Sequence, residues 1–142
     1  MIIKEYDFLP IEAKNIRIDV FVNEQKFVDE FDEIDNYAKH FVMFEKDTPI
    51  ATCRIYYNTE KASYVIGRIA VIKSWRGKNI GSIIIKYAEE VIYKAGGKKV
   101  MLSSQVRASG FYEKQGYSSE GESYLEEYCP HIWMKKSLET LV

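Results

Sequence analysis

The sequence predicts an α+β fold in which helices flank a mixed, mostly antiparallel sheet. Apolar runs of strand length lie on both sides of one long helical segment, and the runs between residues 41 and 72 are joined by short polar links. Only residues 64–102 show the strand–helix–strand order of a parallel crossover. The chain has 142 residues, 46% of them hydrophobic and 29% charged, which is enough to bury one core and too apolar for disorder. We therefore expect a single domain over residues 1–142.

The chain is predicted to begin with a strand and a helix. Residues 2–8 favour a short strand. Pro10 opens a helix that we expect to end near Val22, because its apolar residues recur at helical spacing. An acidic, irregular stretch follows over residues 23–36.

Three strands are predicted next. The segments 41–44 and 50–57 are apolar, and the link between them has the composition of a hairpin loop. A third run covers 64–72 and contains Gly67, which is a candidate β-bulge.

The strongest helical pattern covers residues 80–95, where apolar residues recur on one stripe and two glycines follow the last turn. The predicted elements after it are all short: a strand at 99–103, a helix at 106–115, and closing strands at 117–120 and 131–136.

Composition and charge argue against several classes of protein. Twenty basic and 21 acidic residues give a net charge of −1, whereas nucleic-acid-binding proteins carry a basic excess. No apolar run approaches the roughly 20 residues of a membrane span, and no secretory signal is visible. We therefore expect a cytoplasmic protein without nucleic-acid or membrane partners. Cys53 and Cys129 are isolated, and Cys129-Pro130-His131 lacks further ligands, so we expect neither a disulfide nor a metal site.

The most informative segment is Arg68–Ser82, in which a strand runs into a basic loop and a long helix follows directly. The first N–H groups of a helix have no partner within the helix, and its dipole places partial positive charge there. Glycines let an anion approach the backbone, and Arg76 and Lys78 add positive charge. The segment favours a phosphate-binding loop, and a purely structural turn with solvated basic residues fits the backbone pattern about equally well.

Two motifs resemble those of one enzyme family. Arg76-Gly77-Lys78-Asn79-Ile80-Gly81 resembles the [Gln/Arg]-x-x-Gly-x-[Gly/Ala] signature of the GCN5-related N-acetyltransferase (GNAT) superfamily. The segment Phe111–Tyr117 is similar to the Phe-Tyr-x-x-x-Gly-[Phe/Tyr] motif of the same family. The segments Val20–Gln25 and Glu30–Asp35 are similar to the ElaA-like branch. Together these segments extend over most of the chain.

Two positions depart from the family pattern. Asn79 stands where glycine is usual, although asparagine tolerates a left-handed backbone better than most residues. Arg68 stands on the strand face where many relatives carry a catalytic glutamate, so the resemblance assigns no general base.

The resemblance implies the acyl-CoA N-acyltransferase (GNAT) fold and transfer of the acetyl group of acetyl-CoA to a primary amine. It implies direct attack by the amine in a ternary complex, since no nucleophile is apparent. Tyr112 matches the tyrosine that protonates the departing thiolate. The residues that the resemblance assigns to acetyl-CoA are Ile69, Ala70, Val71, Arg76, Gly77, Lys78, Asn79, Ile80, Gly81, Ser82 and Gln105. Gln105 could contact the pantetheine arm or the acceptor, or serve only as a strand-end amide.

The acceptor is less clearly encoded. The acidic segment Asp29–Asp35 could recognise a cationic amine or supply a base, with Glu30 and Glu33 as candidates, although such segments are more often solvated loops. His40 matches a histidine common in the ElaA-like branch, although an isolated histidine is more often structural. A homodimer is compatible with the abundance of tyrosine.

Two other functions fit the same sequence. A non-catalytic module that binds or senses acyl-CoA is favoured by the missing glutamate at Arg68. An interaction domain would use the glycine loop only as structure.

Overall fold

The predicted α+β order is present in a computed structural model, which describes residues 1–28 and 30–139. The strands are β1 (Ile2–Tyr6), β2 (Lys39–Glu45), β3 (Thr48–Asn58), β4 (Ser63–Val71), β5 (Lys99–Gln105), β6 (Ser118–Glu126) and β7 (Cys129–Ser137). The α-helices are α1 (Ile11–Arg17), α2 (Ile80–Lys94) and α3 (Ser109–Lys114). Short 3-10 turns cover Glu33–Asn36, Lys73–Trp75 and Val106–Ala108. In the part of the chain that the structure describes, no helix is long and apolar enough to cross a membrane.

The chain divides into two compact units. The first contains Met1–Tyr56 and Ile66–Ala88, and the second contains Tyr57–Val65 and the described residues from Glu89 onward. β4 and α2 each contribute residues to both units. The single domain over 1–142 stays a prediction.

The first unit is built on strands in the order β1-β2-β3-β4. β1 and β3 both run antiparallel to β2, and the β2–β3 register shifts between Met43 and Phe44. Five consecutive residues of β2 are buried, so both of its faces are covered. On one of them Phe41 meets the ring of Tyr87 from α2 edge-on, with ring centroids 5.7 Å apart. A strand that is buried on both faces has a continuous apolar sequence, which is why this strand could be predicted from the sequence.

The second unit has the strand order β4-β5-β7-β6. β4 pairs in parallel with β5 at Tyr64–Val100 and Val65–Met101, while β7 runs antiparallel to both β5 and β6. The mostly antiparallel arrangement with one parallel crossover is therefore confirmed. Its core contains Ile92, Val100, Met101, Leu102, Met134 and Leu138, all at most 1% exposed.

Several element boundaries differ from the prediction. The first helix continues past Arg17 as a π-helix over Ile18–Glu24, so it ends two residues later than predicted. The closing strands are longer than predicted, because β6 is exposed along nearly its whole length and carries no alternating apolar pattern. In β4 the left-handed residue is Arg68, with φ of 50°, one position after the glycine proposed as a bulge.

A buried charged cluster in the second unit joins helix and sheet. Glu89 on α2 is 1% exposed. Its carboxylate accepts hydrogen bonds from the hydroxyl of Tyr117 at 2.7 Å and from Nζ of Lys136 on β7 at 2.9 Å. Because a buried carboxylate is tolerated only when it is paired, this cluster fixes the last residues of α2, from Glu89 onward, against the sheet of the second unit.

We expect Lys136→Ala to lower the free energy of unfolding by about 2–3 kcal/mol, because it leaves Glu89 charged and buried with one donor fewer. The matched control is Lys135→Ala on the same strand, whose pair with Glu120 is about half exposed on both sides. That loss should cost under about 1 kcal/mol. Urea unfolding measures both, and equal effects would contradict the structural role of the cluster.

Candidate functional site

The loop before α2 has an open, left-handed backbone. Gly77 and Asn79 have φ values of 78° and 63°, and α2 begins at the next residue, Ile80. A Cβ atom added at Gly77 would meet nothing within 4 Å, so the backbone there is accessible. Asparagine at 79 therefore adopts the conformation that glycine would supply at this position of the signature.

Arg76 is held by three hydrogen bonds to its own chain. Its Nε donates to the carbonyl oxygen of Val71 at 2.9 Å, and Nη1 and Nη2 donate to the two carboxylate oxygens of Glu24, each at 2.9 Å. The hydrogen bond from Arg76 lowers the pKa of the Glu24 carboxyl below its usual value. Glu24 lies in one of the segments that resemble the ElaA-like branch, but no pattern in the sequence identifies it as the partner of Arg76.

Lys78 and a cavity lie beside this loop. The Lys78 ammonium is 4.8 Å from the ring centroid of Trp75, a cation–π contact that leaves its charge at the loop. The cavity has a volume of about 450 Å³. It is lined by Asp19, Asn23, Glu24, Ile72, Lys73 and Ser74.

The end of β4 has an irregular backbone next to the residues proposed to meet the acyl group. Arg68 is left-handed, and Ile69, Ala70 and Val71 follow it. The strand then ends with the Ile72 N–H donating to the carbonyl oxygen of Ile50 at 3.0 Å. A left-handed residue within a strand locally disrupts the ladder and redirects the groups beside it.

The unusual backbone of Arg68 is anchored by carboxylates. Its Nε lies 3.0 Å from Oε2 of Glu30, and its Nη2 lies 3.4 Å from Oδ2 of Asp32. Left-handed residues other than glycine need compensation from their surroundings, and these ion pairs supply it.

Arg68 belongs to a larger network of three arginines and three carboxylates, which we call the arginine–carboxylate network. Arg17, which is 1% exposed, donates to Glu30 at 2.8 Å and to Asp35 at 2.7 and 3.0 Å. Arg54 donates to Asp32 at 2.7 and 3.1 Å and to Asp35 at 2.8 Å. The formal charges of these six side chains cancel.

The network shifts the pKa values of its acidic members in opposite directions. Burial would raise the pKa of Asp35, but the hydrogen bonds from Arg17 and Arg54 outweigh burial and lower the pKa to about 2. For Glu30 burial dominates, and its pKa is raised despite Arg68 and Arg17.

The three acceptor-site candidates are therefore in different environments. Glu30 is buried and paired, and His40 is buried with its Nε2 donating to the carbonyl oxygen of Asp35 at 3.1 Å. Burial lowers the pKa of His40, which favours the neutral imidazole. Glu33 is exposed on a 3-10 turn. The expectation of a solvated acidic loop is thus wrong for Glu30 and Asp35, because arginines from α1, β3 and β4 cover them, and Asp29 lies outside the described residues.

In the second unit, Gln105 and Tyr112 both have neighbours. Gln105 ends β5, and its side-chain oxygen accepts a hydrogen bond from Nε of Arg107 at 2.8 Å. Tyr112 on α3 is half-buried, with its ring edge-on to Phe111 at 5.1 Å and to Tyr117 at 6.2 Å between centroids. Gln105 ends a strand whose interior is largely buried, whereas α3, which carries Tyr112, has no fully buried residue.

A polar cluster in the same unit includes His131, which the sequence presents as isolated. His131 donates from Nδ1 to the carbonyl oxygen of Cys129 at 2.9 Å, and its Nε2 is 3.3 Å from Glu126. The hydroxyl groups of Tyr124 and Ser103 are hydrogen-bonded to each other. Within residues 1–28 and 30–139, no group of three or more His, Cys, Asp or Glu side chains is arranged to hold a metal.

The buried charges Arg17 and Glu89 carry a signal in the sequence that none of the predictions above includes. Arg17 follows Ala13 by four residues, and Glu89 follows Ile85 by four residues, so each lies on the apolar face of its helix. A charge on such a face indicates a buried partner elsewhere in the chain.

The comparison with protein families decides the identity of the chain. Residues 12–138 match the model of the acetyltransferase (GNAT) domain. This chain is a GNAT acetyltransferase. The predicted family and fold are confirmed, and the motifs at 76–81 and 111–117 both lie within the matched residues.

Individual relatives agree with this assignment. The N-acetyltransferase YjcF of Bacillus subtilis, itself uncharacterised, is 32% identical over 128 residues, which cover 88% of this chain and 90% of YjcF. The crystal structure of Escherichia coli ElaA is similar with a TM-score of 0.79 and 27% identity, covering 95% of this chain and 99% of ElaA. An aminoglycoside 6'-N-acetyltransferase complexed with coenzyme A shares the fold, with a TM-score of 0.76, 18% identity and 97% coverage of both chains.

The network predicts an acid limit to the stability of this GNAT acetyltransferase. A carboxyl group whose pKa is lowered by folding stabilises the protein above its unfolded pKa and loses that contribution as the pH falls through the folded pKa. For Asp35 this window runs from 3.8 down to about 2. We expect the free energy of unfolding to fall by about 2 kcal/mol across it. Urea titrations at several pH values measure this fall, and Asp35→Asn should lack it, so an unchanged slope in that variant would contradict the assignment.

Proposed function

We propose that this enzyme transfers the acetyl group of acetyl-CoA to a primary amine of a small molecule or peptide, by direct attack of the amine in a ternary complex. The observation that carries the proposal is the open, left-handed turn Gly77–Asn79 directly before α2, in a chain that belongs to an acetyltransferase family. A member of the same fold has been solved with coenzyme A, which supports this choice of donor.

The diphosphate of the donor is proposed to bind the backbone of this turn. The N–H groups from Gly77 to Ser82 lie at the start of a helix of 15 residues, where the dipole favours an anion. The absence of a Cβ at Gly77 leaves room for close approach. Lys78 adds a cation at the same loop, and Gln105 is proposed to contact the pantetheine arm or the acceptor.

The acyl carbonyl is proposed to accept hydrogen bonds from the backbone N–H groups of Ile69, Ala70 and Val71. Donors that are fixed in advance stabilise the negative charge that develops on this oxygen during attack. The left-handed backbone of Arg68 supports this role, since it interrupts regular strand geometry just before these residues.

The acceptor must lose a proton before it attacks, because an alkylamine with a pKa near 10.4 is mostly protonated at neutral pH. Three residues are candidates for contact with the acceptor. Glu30 belongs to the arginine–carboxylate network and His40 lies beside it, and both are buried, whereas Glu33 is exposed. We therefore propose Glu33 as the candidate that meets a cationic acceptor, and supporting roles for Glu30 and His40.

Tyr112 is proposed as the general acid. A thiolate leaving group with a pKa of about 8.5 gains a proton as the thioester breaks, and a phenol with a pKa near 10 holds a proton to donate at neutral pH. The edge-on contacts of Tyr112 with Phe111 and Tyr117 support a defined position for its phenol.

The setting of the reaction is also a proposal. The balanced charge supports an enzyme without nucleic-acid partners, and we also propose a cytoplasmic location, no membrane partner and no metal. The exposed side chains of Leu125 and Tyr128 at the β6–β7 turn support a homodimer.

A second candidate function is a module that binds acyl-CoA without turnover. The observation that favours it is Arg68, which stands where many relatives carry a carboxylate and is tied to Glu30 and Asp32.

We expect Tyr112→Phe to lower kcat by about 10²-fold and to leave the Kd for CoA within about twofold, because the variant loses only a proton donor. Thiol release from acetyl-CoA with a panel of amines measures turnover, and calorimetry measures binding. Tyr93→Phe on α2, whose side chain is exposed and has no proposed role, is the matched control. Wild-type protein that binds CoA but acetylates no amine would favour the sensing module instead.

We expect Asn79→Gly to keep the affinity for CoA and Asn79→Val to weaken it by about tenfold, because a β-branched residue resists the positive φ of this position. Equilibrium titration with CoA distinguishes the two variants. Equal affinity of both would show that the left-handed turn is not used in binding.

A further inference from the structure

We infer that Glu24 is a positioning residue for donor binding: it fixes Arg76, and Arg76 in turn braces the loop whose backbone meets the diphosphate. This inference rests on the proposed function and concerns the same loop. It gives Arg76 the role of an internal brace, where the sequence alone suggested contact between its guanidinium and the phosphates.

The donors of Arg76 are largely committed to the protein. A guanidinium has five N–H donors, and its two terminal nitrogens form the fork that recognises a carboxylate or phosphate. Here that fork is filled by the two oxygens of Glu24 at 2.9 Å each. The Nε donor is used by the carbonyl oxygen of Val71 at 2.9 Å. A phosphate could take the fork of Arg76 only by displacing Glu24.

Glu24 is itself held firmly. It ends the π-helix, where the N–H of Gln25 donates to the carbonyl oxygen of Val20 at 3.2 Å. Just beyond, the N–H of Phe27 donates to the carbonyl oxygen of Phe21 at 2.9 Å. The rings of Phe21 and Phe27 are buried and stacked with centroids 6.4 Å apart. The carboxylate is therefore presented from a hydrogen-bonded turn that is backed by two buried rings.

The resulting bonds connect three segments of the first unit. Arg76 in the loop is joined to Val71 at the end of β4 and to Glu24 at the end of the π-helix. Gly77 and Asn79, the two left-handed residues, follow directly. A loop fixed before the ligand arrives binds more tightly, because less conformational freedom is lost on binding.

Simple electrostatics predicts the opposite effect for the loss of Glu24. Removing a negative charge near an anion site should strengthen anion binding, as long as the site keeps its shape. A brace predicts weaker binding, because the loop loses its support. The sign of the change in affinity therefore separates the two mechanisms.

The test is calorimetric titration of CoA into the full chain, comparing the wild type with Glu24→Gln, Arg76→Lys and Arg76→Ala. We expect Glu24→Gln to weaken binding by about tenfold. Arg76→Lys should be as weak as Arg76→Ala, because lysine keeps the charge but cannot form the fork and the Val71 bond together. In the Arg76→Ala background, adding Glu24→Gln should cause no further loss.

Two controls make the result specific. Glu90→Gln makes the same chemical change at an exposed position in the later part of α2, outside the cavity lining, and should change the Kd by less than about twofold. Acetyl-pantetheine lacks the diphosphate, so its KM should not respond to Glu24→Gln. Glu24→Asp, which keeps the charge on a shorter side chain, replaces Glu24→Gln should that variant fail to fold, and it should also weaken binding.

The outcomes separate the brace from the proposed function. Binding by the wild type with equal or tighter binding by Glu24→Gln, or full affinity in Arg76→Lys, would overturn the brace alone. A wild-type protein that binds no CoA would overturn the proposed function, and the role of Glu24 in donor binding with it.

Discussion

The guanidinium of Arg17 is 1% exposed, and a charge at such depth is tolerated only because Glu30 and Asp35 share it. Much of the first unit follows from this constraint. The two carboxylates hold the 30–36 segment against α1. Arg54 on β3 and Arg68 on β4 also pair with these carboxylates and contribute the remaining positive charge of the network. The network therefore does more than join elements, because it also holds the left-handed residue that precedes the proposed acyl-binding backbone.

Two arginines near the loop act in a similar way. Arg68 and Arg76 both lie in the segment that suggests an anion site, and both direct their guanidinium groups to carboxylates of the same chain. Within this segment, the proposed contacts with a donor molecule are therefore made by backbone amides and Lys78. Contacts through the backbone place little constraint on side-chain identity, since a backbone N–H is supplied by every residue type except proline.

The sequence predicted best those features that depend on local pattern. Three such features are present in the structure: the apolar stripe of α2, the buried apolar segment of β2 and the glycine-containing turn before α2. Each depends on a pattern of a few neighbouring residues. The exposed strand β6 has no apolar alternation and was predicted too short. Ion pairs between residues distant in sequence, such as Arg76 with Glu24 or Arg54 with Asp32, could not be predicted from local patterns. Many carboxylates in the chain could have paired with each arginine. The π-helix likewise could not be predicted, because a segment of seven residues shows no distinct π-helical periodicity.

The balance of charge around Arg17 also restricts how this region can evolve. A substitution that removes one charged side chain leaves its partner buried and unpaired, which lowers stability. Replacing all six side chains by well-packed apolar ones can leave stability unchanged. Reaching such an apolar replacement therefore takes several substitutions. Each partly substituted variant is less stable than both the complete network and the complete apolar replacement. Lineages that inherit these six residues should keep them together for as long as mutations arrive singly, even where the substrate of the enzyme has changed.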